Sequence, residues 1–180
     1  MVPRTLLNLI EKNEYLKIVS DLYITNGFQF YLVGGAVRDG ILDIDTKDFD
    51  FTTNATPEES ISLLNSNGYK TTEIGREFGT IELQINDNSV HITTFRKDTY
   101  ENSSRNPSIE SAEDLHTDLS RRDFTINSIA YSINENELID PFLGLKDLAS
   151  GTIRTPDDPI ISFSDDPLRM LRVCRFISTH

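Results

Sequence analysis

The sequence predicts an α+β fold in which a small mixed or antiparallel sheet has helices packed against it. Apolar residues at helical spacing open the chain, from Leu6 to Leu22, and short apolar runs bounded by glycine, proline and asparagine follow them. The short runs are typical of strands, whereas the wider spacing is typical of an amphipathic helix. The 180 residues suffice for one domain with its own core, or for one domain and the start of another.

Helices and strands follow one another through the first half of the chain. Gly27 stands where a glycine commonly ends a helix, because glycine adopts the left-handed conformation without strain. Thr56 and Pro57 form a helix start, with a capping side chain and a proline at the first position. The predicted elements are one helix ending at Gly27, a strand over residues 28–33, a short helix over 37–42, a strand over 49–52, a helix ending at Gly68 and a strand over 69–72.

The second half begins with a hairpin and contains a long polar stretch. Residues 81–85 and 90–95 are predicted strands joined by a turn rich in Asn and Asp. Residues 98–120 are polar and lack sustained periodicity. This length is unusual for a structureless loop and indicates a functional or mobile segment. The remaining predicted elements are a short helical segment over residues 124–129, a hairpin of 131–133 with 137–139, and a last helix that opens at Ser164-Asp165-Asp166-Pro167.

The overall charge argues against a broad nucleic-acid-binding surface. The formal net charge is −12, and no block of Lys and Arg residues is present, whereas such surfaces are usually basic. A small site for a nucleotide and its cations fits this composition better. The single cysteine, Cys174, excludes an internal disulfide and a cysteine-rich zinc site. With no membrane-length apolar run and no secretion signal, the sequence predicts a soluble protein of the cytoplasm.

The tripeptide Asp48-Phe49-Asp50 is the strongest local signal for chemistry. Residues two apart in a strand point to the same side, so both carboxylates face one site while Phe49 points into the core. Two carboxylates on one face predict a binding site for a hard divalent cation such as Mg²⁺. The plainer interpretation is a pair of solvated acids at a strand end, because acids are usually surface residues.

The glycines Gly34 and Gly35 fall between a predicted strand and a predicted helix. Backbone N–H groups at such a junction are able to approach a phosphate closely, and Arg38 follows one helical turn later. The segment lacks the Lys-Ser/Thr of a P-loop and does not match a dinucleotide-binding fingerprint. A plain strand-to-helix turn is the alternative interpretation.

The tripeptide Arg121-Arg122-Asp123 combines groups that suit a nucleotide. Arginines bind triphosphates, and a carboxylate accepts hydrogen bonds from ribose hydroxyls. A surface cluster of salt bridges is the alternative for the tripeptide taken alone.

The last helix carries its arginines on one side. Asp166 accepts and Arg169 donates hydrogen bonds, so that together they suit the Watson–Crick edge of a base. A solvated basic face with an acid at the helix N-terminus is the alternative. The arginines are Arg169, Arg172 and Arg175, and the residues predicted to face the core are Met170, Leu171, Cys174 and Ile177.

Taken together, these segments resemble the class II nucleotidyltransferases, which comprise the tRNA CCA-adding enzymes and the bacterial poly(A) polymerases. Five stretches match in the family's order and spacing from about residue 28 to the end of the sequence. They are Leu32-Val-Gly-Gly-Ala-Val-Arg-Asp39, Asp48-Phe-Asp50, Arg121-Arg-Asp-Phe-Thr-Ile-Asn-Ser128, Ile139-Asp-Pro-Phe142 with Gly144, and Asp165-Asp-Pro-Leu-Arg-Met-Leu-Arg172.

The resemblance implies a polymerase-β-like head over residues 1–150 and the beginning of a helical neck over residues 151–180, in a chain shorter than family members. It implies two-metal catalysis with Mg²⁺, CTP and ATP as substrates, the tRNA 3′ end as acceptor, and neither a membrane nor DNA as a partner. It also implies that residues 98–120 are a mobile loop used in switching from CTP to ATP. The implied roles are metal binding and catalysis for Asp48 and Asp50, contacts with the triphosphate or ribose for Gly35, Arg38, Arg122 and Asp123, base recognition for Asp166 and Arg169, and support of the nucleotide for Arg172 and Arg175.

Two departures from the family pattern bear on the site. Asp165 replaces the glutamate that usually opens the last motif, and His91 stands where relatives often carry an acid. Within the resemblance, CCA addition is the first expectation, because residues 127–130 look more like that branch. Poly(A) addition to RNA uses the same head and is the alternative. A nucleotide-binding head without catalytic activity is a further alternative.

Overall fold

The protein, as a computed structural model, is described over residues 1–74, 79–99 and 108–179. Its mixed sheet flanked by helices confirms the predicted α+β class. The helices are α1 (Arg4–Lys12), α2 (Glu14–Thr25), α3 (Gly35–Ile41), α4 (Pro57–Ser66), α5 (Leu115–Ser120), α6 (Gly144–Ser150), α7 (Pro159–Asp165) and α8 (Leu168–Thr179). The strands are β1 (Phe30–Val33), β2 (Asp48–Thr53), β3 (Thr71–Glu73), β4 (Thr80–Ile85), β5 (Asn88–Thr94), β6 (Arg96–Thr99), β7 (Ser108–Ser111), β8 (Ala130–Ser132) and β9 (Glu137–Ile139).

Strand β2 lies at the centre of a seven-stranded sheet with the order β3-β4-β5-β2-β1-β8-β9. It pairs antiparallel with β1 and parallel with β5. The hairpins β4–β5 and β8–β9 are antiparallel, as predicted. The central position gives the acids of β2 a neighbouring strand on each side.

The two faces of the sheet support separate apolar clusters. Phe30 and Phe51 belong to the main core and stack with their ring centroids 4.4 Å apart. Val33 faces the other way and packs with Leu119 of α5 in a smaller cluster. Because Val33 is the register partner of Asp50, the acids of β2 point to the face on which α5 lies.

The predicted N-terminal helix is two helices, and this expectation was wrong. The helix is interrupted at Asn13, between α1 and α2. The side-chain amide of Asn13 donates to the carbonyl oxygen of Leu9 over 2.9 Å. Asparagine competes in this way with the helical hydrogen bonds of the backbone. Gly27, at a φ of +84°, follows the end of α2 as expected. No helix within the described residues is long and apolar enough to cross a membrane.

The polar stretch over residues 98–120 is more ordered than the sequence predicts. Its described residues contain the end of β6, the whole of β7, which pairs with β6, and helix α5. The Asp114 carboxylate caps α5 by accepting from the Thr117 amide over 2.7 Å. The pairing of β6 with β7 is long-range and leaves no local periodicity. Residues 100–107 lie outside the described residues, and with them the centre of the expected mobile loop.

The C-terminal region contains a helix that the sequence analysis missed. Helix α7 begins at Pro159, after an Asp158 carboxylate that accepts from the Ile160 amide over 2.7 Å. A capping acid followed by proline is a helix start signal, so this helix was predictable. The division of the chain at residue 150 stays a prediction.

Helix α8 does not bury the apolar residues that were predicted to face the core. Cys174, predicted to face the core, is exposed, and Met170 and Leu171 are 51% and 67% exposed. Arg169 is only 7% exposed. Its guanidinium group finds protein hydrogen-bond partners, which compensates the loss of water. The side chain of Ile177 lies outside the described residues.

We expect Thr56→Ala to lower the free energy of unfolding by about 1 kcal/mol. The Thr56 hydroxyl accepts from the Glu59 amide over 3.2 Å, and the Glu59 carboxylate accepts from the Thr56 amide over 2.8 Å, which together form the capping box of α4. Urea denaturation measures the loss. The matched control is Ser62→Ala at an exposed position of the same helix, and an equal loss in both variants would contradict the capping role.

Candidate active site

A cavity of about 350 Å³ opens on the face of the sheet that carries the acids of β2. Its wall contains five arginines and four aspartates, although the whole chain has a net charge of −12. The wall thus has one more cationic than anionic side chain, whereas the chain as a whole is acidic. The lining residues are Gly34, Gly35, Asp50, Arg96, Asp98, Arg121, Arg122, Asp123, Asn127, Asp166, Arg169 and Arg172.

Strand β2 alternates its side chains as the sequence predicts, but only one of its two acids, Asp50, lines the cavity. Phe49 is fully buried in the main core, whereas Asp50 is half-buried and lines the cavity. Asp48 is exposed at the start of the strand. The described residues contain no group of three His, Cys, Asp or Glu side chains placed to hold a metal ion.

A row of polar side chains crosses the sheet from Asp50 and was not predicted. In the register of the strands, Asp50 of β2 faces His91 of β5, which faces Glu82 of β4. The His91 Nδ1 lies 3.4 Å from an oxygen of Asp50, and its Nε2 lies 3.8 Å from an oxygen of Glu82. The hydrogen bond to Asp50 raises the pKa of His91, partial burial lowers it, and the negative charges of Asp50, Glu82 and Asp48 raise it again, so that the net pKa is raised.

In metal-free buffer, we expect Asp50→Asn to lower the pKa of His91 towards its ordinary value of 6.5. The variant removes the charge of the carboxylate whose hydrogen bond is the largest cause of the raised pKa. A raised pKa means that the folded state holds the proton more tightly, so stabilisation by the pair is present below pH about 6.5 and is lost as the pH rises through the folded value. The NMR titration of the His91 ring measures the pKa. Asp45→Asn, at an exposed acid of the preceding loop, is the control, and an equal midpoint in both variants would refute the coupling.

The Gly34-Gly35 turn lies directly between a carboxylate and a guanidinium group. Gly34 has a φ of +71°, a conformation that favours glycine. A Cβ atom at Gly34 would lie 3.2 Å from Nη1 of Arg122 and 3.8 Å from Oδ2 of Asp50. The absence of a side chain therefore keeps the space between Asp50 and Arg122 open to a ligand.

Three predicted site residues do not line the cavity. Asp48 and Arg175 are exposed. Arg38 is buried, where its Nη1 donates to Asn127 Oδ1 over 2.6 Å and its guanidinium carbon lies 5.0 Å from the ring centroid of Phe176. These contacts with Asn127 and Phe176 hold Arg38 against α8, beside the cavity. The expected contacts of the three residues with metal or nucleotide stay predictions.

Asp123 and Asn127 form one polar cluster in the cavity wall. The Asp123 Oδ1 accepts from the Asn127 side-chain amide over 2.9 Å and from the Phe124 backbone amide over 2.8 Å. The second Asp123 oxygen lies 3.6 Å from a guanidinium nitrogen of Arg172. The cluster links the 3₁₀ turn of Thr125–Asn127 to helix α8.

Asp166 and Arg169, the predicted base-recognition pair, both lie in the wall with exposures of 9% and 7%. Arg169 donates through Nη1 to the Ser162 hydroxyl over 2.5 Å and through Nη2 to the Arg121 carbonyl over 2.8 Å. Its Nε and that of Arg122 are buried and have no hydrogen-bond partner among the described residues. Buried donors are usually satisfied, so these two are exceptions among the residues of the cavity wall. Asp165 lines a second cavity of about 160 Å³ on the other side of Arg169.

Three further charged residues of the site were not predicted from the sequence. Arg96 and Asp98 line the cavity, and their side chains lie 3.2 Å apart. Asp118 is fully buried behind Arg121 and Arg122 and contacts both. An acid three residues before the double arginine is a helix-spacing signal for such contacts, and it was available in the sequence.

The sequence and the fold are similar to those of known proteins. The poly A polymerase head domain matches residues 30–154. The CCA-adding enzyme of Bacillus licheniformis is 42% identical over 154 residues, which are 85% of this chain and 38% of that enzyme. The chain thus spans less than half the length of this relative.

Solved structures show the same fold. A crystal structure of the Bacillus stearothermophilus CCA-adding enzyme in complex with CTP superposes with a TM-score of 0.78 at 34% identity, over 89% of this chain and 37% of that one. A tRNA nucleotidyltransferase complexed with a primer tRNA and an incoming ATP analogue gives 0.71 at 36% identity, over 88% and 44%. With its family matched over residues 30–154, this chain belongs to the poly A polymerase head domain family.

Proposed function

We propose that the chain is the catalytic head of a CCA-adding enzyme, which joins CTP and ATP to the 3′ end of tRNA and releases pyrophosphate. The observation that carries the proposal is the single cavity in which Asp50, the glycine turn, Arg122 and the pair Asp166 and Arg169 meet. The names of the relatives, CCA-adding enzyme and tRNA nucleotidyltransferase, support this activity.

The triphosphate would lie between the glycine turn and the arginines. Gly34 and Gly35 present backbone rather than side chains there, and Arg122 and Arg172 line the same cavity. Guanidinium groups bind phosphate oxygens with two parallel hydrogen bonds. Asp123 would accept from a ribose hydroxyl.

Base selection would rest on Asp166 and Arg169. Cytosine and adenine both present an amino donor beside a ring-nitrogen acceptor, which matches a carboxylate acceptor beside a guanidinium donor. Uracil and guanine present the reverse order at the same edge. The pair therefore favours CTP and ATP over UTP and GTP, and protein side chains take the place of a nucleic-acid template.

Asp48 and Asp50 would hold Mg²⁺. They are hard oxygen donors on one side of β2, and two carboxylates with substrate phosphates and water form a common magnesium shell. That chemistry fits a site where the described residues place no group of three His, Cys, Asp or Glu side chains to hold a metal ion. When bound, the metal supplies activation of the attacking hydroxyl and stabilisation of the leaving pyrophosphate.

In the reaction, the oxygen of the RNA 3′-hydroxyl forms a bond to the α-phosphorus, and the bond from that phosphorus to the bridging oxygen of the β-phosphate breaks. Pyrophosphate leaves with that oxygen, and the proton of the 3′-hydroxyl passes to solvent. Arg122 and Arg172 would orient the triphosphate for this in-line displacement. Asp166 and Arg169 would hold the base, so that the α-phosphorus is fixed relative to Asp50.

Incorporation of labelled CTP and ATP into a tRNA that lacks its terminal CCA tests the proposal. Each nucleotide is supplied alone and then both together with Mg²⁺, and the double variant Asp48→Ala/Asp50→Ala is the control. Sequential addition of C, C and A that the control lacks is the expected result. Runs of A without C would replace the proposal with poly(A) addition, and nucleotide binding without pyrophosphate release on any RNA would indicate an inactive head.

A further inference from the structure

Asp118 is the most deeply buried acid beside the cavity and has no role in the proposed chemistry. It lies in α5 with an exposure of 0%. An ionised carboxylate at such a place is strongly destabilising unless it is paired and hydrogen-bonded. Burial raises the pKa of Asp118. The charges of Arg122 and Arg121 and their hydrogen bonds together lower it by more, so that the net pKa lies below its ordinary value. Asp118 is therefore an anion in the folded protein.

Both oxygens of Asp118 are occupied by protein donors. Oδ1 accepts from Arg121 through Nε at 3.1 Å and Nη2 at 2.8 Å, and from the Arg96 backbone amide at 3.3 Å. Oδ2 accepts from Arg122 Nη2 at 3.1 Å and from the Thr52 hydroxyl at 3.2 Å. A carboxylate offers about four acceptor positions, so this one is saturated and has no capacity left for a ligand.

Arg122 also lines the cavity, beside the glycine turn. Its Nη1 approaches the Gly34 turn, and its Nε has no hydrogen-bond partner among the described residues. Arg121 is bound in the same way, and its carbonyl oxygen accepts from Arg169 over 2.8 Å. One buried carboxylate thus fixes two guanidinium groups and, through the Arg121 backbone, adjoins the residue proposed to read the base.

We propose that Asp118 is a positioning residue, which holds Arg121 and Arg122 in the orientation that binds the triphosphate of the incoming nucleotide. The inference rests on the proposed function. Without the carboxylate, Arg122 would lose its hydrogen bond to Oδ2, and Arg121 would keep its 3.6 Å ion pair with Asp98 but lose both hydrogen bonds to Oδ1. The two arginines would be less ordered, and binding would have to order them. Pre-ordered donors avoid this loss of entropy.

The experiment compares Asp118→Asn with the unchanged chain in the binding of CTP and CMP with Mg²⁺, by calorimetry and by competition. An amide has nearly the same size, but its NH₂ group faces one of the arginines and its charge is gone. We expect the affinity for CTP to fall about tenfold while the affinity for CMP changes less than about twofold, since CMP lacks the β- and γ-phosphates. The preference for CTP over CMP is thus the readout that a merely structural role would not move.

Two further variants complete the test. Thr52→Val removes the neutral contact of Oδ2 at nearly constant shape, and we expect it to retain the preference for CTP over CMP. If Asp118→Asn does not fold, Asp118→Glu keeps the charge but displaces it by one methylene group, and the same selective loss is expected. Equal losses for CTP and CMP, or no loss, would overturn the positioning role. Failure of the unchanged chain to bind either CTP or ATP would instead overturn the proposed function.

Discussion

Asp50→Asn is expected to reduce nucleotide addition by on the order of 1,000-fold, which corresponds to about 4 kcal/mol of transition-state stabilisation. The amide keeps the size of the side chain but removes the charge and weakens the oxygen as a ligand for a hard cation. Asp50 is the acid of β2 that lines the cavity, and it lies beside the position where the triphosphate is proposed to bind. Its loss should therefore act on chemistry more than on binding.

Two measurements separate these effects. Binding of CTP in the absence of a divalent metal should stay within about threefold of the unchanged protein, because no hydrogen bond to the nucleotide is assigned to Asp50. Binding of Mn²⁺, followed by electron paramagnetic resonance, should weaken. The matched control is Asp45→Asn, which removes an acid whose side chain is 90% exposed and pairs with Lys12 at the surface. Addition at near-normal rates by Asp50→Asn would remove this residue from the catalytic centre.

The parts of the site that were predictable depend on short stretches of sequence. Asp50 and Phe49 take opposite sides of β2 because strand geometry alone dictates it. The capping box at Thr56 and the glycine turn at Gly34 also depend on residues a few positions apart. For such features, the pattern and the structure express the same local constraint.

The parts that were missed depend on contacts between distant segments. The helix spacing predicts contacts of Asp118 with Arg121 and Arg122, but its full burial also depends on Thr52, which lies 66 residues away in the sequence. The row from Asp50 through His91 to Glu82 exists only through the pairing of three strands. Periodicity within one segment carries no information about such neighbours.

The prediction of which side of α8 is buried was wrong for a different reason. Helix faces are predicted from the rule that apolar residues are buried, and this helix turns Arg169 inward instead. The Ser162 hydroxyl and the Arg121 carbonyl accept its hydrogen bonds. A functional site is a place where a local rule is expected to fail, because side chains there are arranged for a ligand.

Gly144→Ala is expected to destabilise the protein by about 3 kcal/mol or more. A Cβ atom at Gly144 would lie 2.1 Å from the carbonyl oxygen of Thr125 and 2.8 Å from a side-chain carbon of Ile129. The carbonyl belongs to a fully buried residue of the 3₁₀ turn. That turn is unable to move away, because the Thr125 hydroxyl donates to Asp147 over 2.6 Å and its amide donates to the Arg154 carbonyl over 2.8 Å. Thermal and urea unfolding measure the loss, with a fall in Tm of roughly 10 °C.

Gly40→Ala is the matched control, since it is the same substitution in helix α3. There the added atom would lie 2.8 Å from the Cδ1 of Leu6 and 2.9 Å from the Cδ2 of Leu9. These are side-chain ends that rotate away more easily than backbone, and alanine also favours the helix by about 1 kcal/mol. Gly40→Ala should therefore be the milder variant. Because Asn127 of the same 3₁₀ turn lines the cavity, Gly144→Ala should also weaken the binding of CTP, whereas Gly40→Ala should not. Equal destabilisation by both variants would show that the 3₁₀ turn moves to accommodate the added atom. Its contact with Gly144 would then not fix this wall of the site.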